Sequence, residues 1–141
     1  MTKELPWHQR LKNFKKALDL LTRIVDQLKN HGKTEIIELA SLLSFTQNFT
    51  LAIDCMIKFF TYQGDVYLEP GKMIIRLAFR RGLIEDGEIW MDMLKTDEQE
   101  KMIYEKSAIE KTSAKIIEVF YPVFLKLYQA LEKRKLRDEE E

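Results

Sequence analysis

Apolar side chains recur at helical spacing along almost the whole of this chain. Leu11, Phe14, Leu18, Leu21, Val25 and Leu28 step by three and four residues, which places all six on one stripe of a helix. Gly32 follows as a left-handed stop, and Thr34 is placed to cap a second helix. In that helix Leu42, Phe45, Phe49, Ala52, Met56 and Phe59 repeat the stepping, with Ile53, Ile57 and Phe60 on a neighbouring stripe. An apolar arc that wide predicts a helix packed on two sides, ended by Gly64.

Beyond it, Gly64, Asp65, Pro70 and Gly71 make Gln63 to Gly71 a loop. Lys72 to Arg81 reads as a short helix stopped by Gly82, and Gly87 to Leu94 as another, capped by Asp86. Thr96-x-x-Gln99 and Ser107-x-x-Glu110 fit the capping-box pattern that starts helices. Ile109, Ile116, Phe120, Val123, Leu127 and Leu131 mark a long last helix. Pro122 falls inside it and should kink or break it near Glu118, whose carbonyl loses its amide partner. The closing run EKRKLRDEEE reads as a charged tail fraying into solvent. No segment reads as a strand. The pattern predicts an all-α, antiparallel four- to five-helix up-and-down bundle, one domain over residues 1–134 with a charged tail at 135–141.

Composition narrows the partners. At 141 residues and 45% hydrophobic, the chain can bury a sizeable core without a disulfide or metal staple. Lys+Arg 23 balance Asp+Glu 23, and neither half is a basic platform: residues 1–70 carry 9 basic and 8 acidic side chains, residues 71–141 carry 14 and 15. That balance argues against RNA as a partner. No apolar stretch approaches the roughly 20 residues that span a bilayer, so no membrane association is expected. The opening MTKELPWHQR lacks the apolar segment of a signal peptide, and a lone Cys55 suits a reducing cytoplasm.

The search for chemistry is mostly negative. His8 and His31 stand at opposite ends of the first helix, roughly 34 Å apart at 1.5 Å per residue, and read as surface histidines that cannot share a metal. Cys55, with no histidine neighbour in sequence, reads as a small buried hydrophobe. The glycines match no phosphate or dinucleotide loop. Glu85/Asp86 and Asp97/Glu98 fall at predicted helix starts, where they complement the macrodipole. Neither a metal nor a cofactor is expected.

The run AFRRGLIEDGEIWMDML, from Ala78 to Leu94, resembles the hallmark stretch of HEPN proteins that accompany minimal nucleotidyltransferases, also called nucleotidyltransferase substrate-binding proteins. Trp7, Arg10, Asn13-Phe14 and Ala17-Leu18 look like that family's opening helix. Phe45, Phe49 and Leu51-Ala52 look like its aromatic second helix, and Tyr121-Pro122 matches a proline common in its last. The resemblance covers about residues 5–134. It implies an antiparallel helical bundle, a homodimer, and a separately encoded minimal nucleotidyltransferase as partner, often in a toxin–antitoxin pair. In such pairs the HEPN chain is a metal-independent ribonuclease with an Arg-Asn start, a His four residues beyond that Asn and a Tyr two residues after the His. The imidazole would handle the proton of the ribose 2′-hydroxyl, and the guanidinium the phosphate. Some partners add AMP to the Tyr.

Counted on from Met93-Leu94, this sequence departs from the pattern. Asp97-Glu98 stand where Arg-Asn is expected, Met102 stands where the His is expected, and Tyr104 remains. No histidine occurs after His31, and Thr46-Gln47 follow Phe45 where the family often places a Glu. An acidic pair would repel RNA, and a thioether has no proton to exchange. The reading is therefore a non-catalytic binding or regulatory subunit of a minimal nucleotidyltransferase, not itself an enzyme. The alternatives are a ribonuclease using Glu98, Tyr104 and nearby arginines, or a plain helical adaptor. Tyr104 reads either as a modification acceptor or nucleotide-facing group, or as an aromatic anchor before Ser107. Arg76, Arg80 and Arg81 form the compact basic cluster, and Arg76 and Arg80 share a helix face. They could hold a nucleotide phosphate, or pair with Glu85, Asp86 or the partner protein.

Overall fold

Pro6 sits at the first position of α1 (Pro6–Asn30), where its missing amide hydrogen is no loss and its fixed φ suits a helix. The computed structural model describes residues 4–102 and 105–140. After α1 come α2 (Glu35–Tyr62), α3 (Lys72–Arg80) and α4 (Gly87–Gln99), then a 3-10 turn (Glu100–Met102). One long rod closes the chain: α5 (Lys106–Lys115), a π-helical turn (Ile116–Phe120) and α6 (Tyr121–Glu140). The architecture is an all-α bundle, with no strand among the described residues.

α1 packs most extensively on α2, α2 also meets α5, and α6 lies along α1. All six residues of the α1 stripe are buried, as are all six of the main α2 stripe. Of the second α2 stripe, Ile53 and Phe60 are buried and Ile57 is half-buried. Thr34 caps α2 by accepting the Ile37 amide at 3.3 Å, and Gly32 takes the left-handed φ of +91°. The bundle closes on aromatic rings. Phe45 lies 5.1 Å from Phe120 and 6.0 Å from Phe124, and Phe124 meets Trp90 edge-on at 5.8 Å and Phe14 at 6.1 Å. Asn48 is fully buried at the α1–α2 seam and donates to the Ala17 and Ser44 carbonyls at 3.0 and 2.8 Å.

Several expectations are corrected. Pro122 neither breaks nor ends the last helix. A π turn precedes it, with the Tyr121 amide reaching back five residues to the Ile116 carbonyl. The extra residue in that turn relieves the clash a proline ring makes in an α-helix. It also carries the Tyr121 hydroxyl to Thr22 Oγ1, at 2.7 Å. The two capping boxes do not form: Thr96 lies inside α4, and Ser107 is the second residue of α5. Burial of Trp90 and Met93 draws α4 on past the cap signal, to Gln99. Asp86 stands at the N-cap of α4 without a side-chain cap bond.

The expected fraying tail is helical to Glu140, and its Asp138 meets His8 of α1. That residue is not a surface histidine but 1% exposed. Its Nδ1 accepts the Leu5 amide at 3.2 Å, so the proton sits on Nε2 and faces Asp138 Oδ2 at 3.4 Å. α2 is also long and apolar enough to cross a membrane by composition, contrary to the count of apolar runs; half of its most apolar stretch is buried inside the bundle.

Candidate functional site

α3 and the end of α4 face each other across the loop that joins α2 to α3. Gly71, at φ +101°, turns that loop into α3. The groove between them has a volume of about 680 Å³. Lys72, Arg76 and Arg80, at i, i+4 and i+8 along α3, line it together with Glu69 and Glu98. Apolar contact surface comes from Leu94 and from Phe79 and Met73, which are 53% and 44% exposed. The three cations make no ion pair with an acid among the described residues. Arg76 and Arg80 are thus free of Glu85 and Asp86.

Arg81 does not join them. Its guanidinium makes a two-pronged contact with the Asp65 carboxylate at 3.0 and 2.7 Å, and lies over the Phe60 ring at 5.7 Å. It therefore ties the α2–α3 loop to the end of α3.

A second hollow, about 490 Å³, adjoins the groove through shared walls at Pro70, Gly71, Leu94 and Glu98. Asp97 and Ile57 line it. Asp97 and Glu98 thus fall in the last turn of α4, not at a helix start. Asp97 Oδ1 and Thr46 Oγ1 are both shut off from solvent, and neither closes a hydrogen bond. Desolvation raises the Asp97 carboxyl above its ordinary value, and Glu98 adds to the rise, while Lys101 opposes it. The negative end of the α4 dipole disfavours the charge as well.

That shift has a measurable sign. The folded chain holds the Asp97 proton more tightly than the unfolded chain, whose carboxyl titrates in the ordinary aspartate range. The charged form therefore works against folding at neutral pH, and the penalty is relieved as pH falls through the raised folded value. Asp97→Asn should stabilise the fold at pH 7 by roughly 0.5 kcal/mol, the scale of a half-exposed and solvent-screened group. It should also flatten the gain in melting temperature that the wild type shows on mild acidification. A variant melting lower than wild type at pH 7 would refute this assignment.

Of the positions singled out in the sequence, Arg76, Arg80 and Glu98 share the groove, and Asp97 lies in the hollow beside it. Met102 is 76% exposed on the 3-10 turn and lines neither. Tyr104 lies outside the described residues. Lys72, Phe79 and Met73 were missed, although the Lys72–Arg76–Arg80 spacing is visible in the sequence. Cys55 is buried with its Sγ 3.8 Å from the Trp7 carbonyl, and burial pushes its thiol up to about 12, which suits a hydrophobe and not a nucleophile. Among the described residues no three His, Cys, Asp or Glu side chains are grouped to hold a metal. His8 is committed to Asp138, and His31 is exposed beyond the end of α1.

The family model described as nucleotidyltransferase substrate binding protein like matches residues 9–133. No curated protein matches the chain.

Proposed function

The chain belongs to the nucleotidyltransferase substrate binding protein-like family, and from that premise we propose that it is the non-catalytic binding and regulatory subunit of a separately encoded minimal nucleotidyltransferase. The match over residues 9–133 carries this reading. Arginine beside exposed aromatic and methionine side chains is the composition of a protein contact surface, so the groove with Arg76, Phe79 and Arg80 is the face turned to the transferase. The setting is a toxin–antitoxin-like pair in a reducing cytoplasm. Self-association is assigned in this reading to the start of α2, because Ile36, Leu39 and Leu43 lie exposed there at i, i+3 and i+7.

The ribonuclease reading is disfavoured by the acids at 97 and 98. A phosphodiester needs a cation to hold the developing charge, and the described lining of the hollow offers three carboxylates, Asp54, Asp97 and Glu98, with no Lys, Arg or His. Co-expression with a minimal nucleotidyltransferase from the same genome tests the proposal. A stable complex at micromolar concentration is expected, with no RNA cleavage by this chain in EDTA. Failure of two folded proteins to associate, or EDTA-resistant cleavage lost in a Tyr104→Phe variant, would overturn it.

A further inference from the structure

The outer side of α6 carries a second basic face, used neither by the core nor by the groove on α3. Lys126, Lys133, Arg134 and Arg137 recur at helical intervals, and all four line a hollow of about 310 Å³ between α6 and the α3–α4 turn. From Lys126 to Arg137 the helix rises roughly 16 Å. None of the four pairs with an acid among the described residues. Of the acids of the same helix, Glu132 accepts the Tyr128 hydroxyl, Asp138 meets His8 and Glu139 meets Lys135; neither these three nor Glu140 lines the hollow. α6 thus turns its cations to the hollow, where four of them stand against the two carboxylates Glu85 and Asp86. In a chain of net charge zero this is a local field that attracts an anion.

Arg134 is half-buried, with its guanidinium 5.7 Å over the Phe59 ring, so one cation is held in position before any ligand arrives. Glu85 and Asp86, from the α3–α4 turn, also line the hollow. We propose that this hollow binds the polyphosphate group of a small phosphate ester. Lys133, Arg134 and Arg137 take the phosphate oxygens, Arg134 and Arg137 with the forked geometry that suits them. The carboxylates of Glu85 and Asp86 accept hydrogen bonds from the ligand's hydroxyl or amino groups. Size and charge both favour a short anion over a strand. The volume lies at the small end of ligand pockets, roughly 300–1,000 Å³, and the two carboxylates would repel a polyanion continuing past the cations.

Calorimetry on the full chain tests this at low salt, with inorganic triphosphate, ATP, AMP and a short single-stranded RNA as probes. This needs no transferase, so its failure and the failure of the docking reading are separately visible. Triphosphate and ATP should bind at micromolar to submillimolar concentration, and AMP at least tenfold more weakly. Affinity should fall as salt rises. Arg134→Gln with Arg137→Gln should weaken binding at least tenfold, and so should Lys126→Gln with Lys133→Gln, which alters only exposed side chains. Lys29→Gln, at the far end of α1, should leave it unchanged. No triphosphate binding at millimolar concentration, binding indifferent to both double variants, or RNA bound more tightly than ATP would each overturn the proposal.

Discussion

Replacing Phe124 with alanine should cost about 3–5 kcal/mol of folding stability, the range for removing a fully buried phenylalanine. Its ring is 0% exposed and stands where three other parts of the bundle converge: Phe14 of α1 at 6.1 Å, Phe45 of α2 at 6.0 Å and Trp90 of α4 at 5.8 Å. No single neighbour can move to fill the gap without leaving the other two. The cavity therefore persists, and its lining loses dispersion contacts as well as the transfer energy of the ring. Against a total of roughly 5–15 kcal/mol for a domain, the loss is about a fifth or more of what holds the fold. Urea denaturation should show the midpoint moving down with an unchanged slope. Phe79→Ala removes a ring of the same size from a position 53% exposed, and should change stability by less than about 0.5 kcal/mol. A Phe124→Ala loss below 1 kcal/mol would mean that the aromatic cluster is not the centre of the core.

The contrast between those two phenylalanines indicates what the sequence could reveal. Phe124 stands four residues after Phe120 and three before Leu127, a helical spacing that marks such residues as buried, although the stripe read from the sequence ran through Val123 and did not name it. The stripes of α1 and α2, the left-handed Gly32 and the Thr34 cap were legible for the same reason: each is a local pattern with one dominant physical consequence. Features that depend on distant partners were not. His8 lies 130 residues from the Asp138 carboxylate that faces its ring, and no local signal separates it from an exposed histidine. The charged tail looked frayed because its anchor lies at the other end of the chain. Pro122 was read correctly as an obstacle, but a helix has two answers to a proline, and packing of Ile116, Ile117 and Phe120 favoured a wide turn over a break. The cap signals at Thr96 and Ser107 were outweighed by burial of Trp90, Met93 and Ile109.

The candidate site divides along the same line. Arg76 and Arg80 were visible as a helical pair, whereas the approach of Asp97 to Thr46 joins positions 51 residues apart and appears only in three dimensions. The charge pairing of Arg81 was hidden for a different reason. Three arginines within six residues look like one cluster, but a helix turns about 100° per residue, so Arg81 points away from Arg80 and finds Asp65. That leaves two guanidiniums, not three, to meet a partner.

Reversing those two charges should therefore produce the largest functional effect. Arg76→Glu with Arg80→Glu places two carboxylates in a groove already bordered by Glu69 and Glu98. Buried interfacial arginines commonly contribute 2 kcal/mol or more, and each 1.4 kcal/mol is a factor of ten in affinity. Two such losses, with like-charge repulsion added, predict an affinity for the transferase at least about 100-fold weaker. The fold should be unaffected, because both side chains are exposed and make no ion pair among the described residues. Equal reversal at Lys133 and Arg137, on the separate face of α6, should leave association within about threefold of wild type while abolishing triphosphate binding. The two pairs of variants thus exchange phenotypes if each face has its own ligand. Transferase binding that survives reversal at Arg76 and Arg80 but is lost on reversal at Lys133 and Arg137 would move the docking surface to α6, and the groove on α3 would lose its assigned partner.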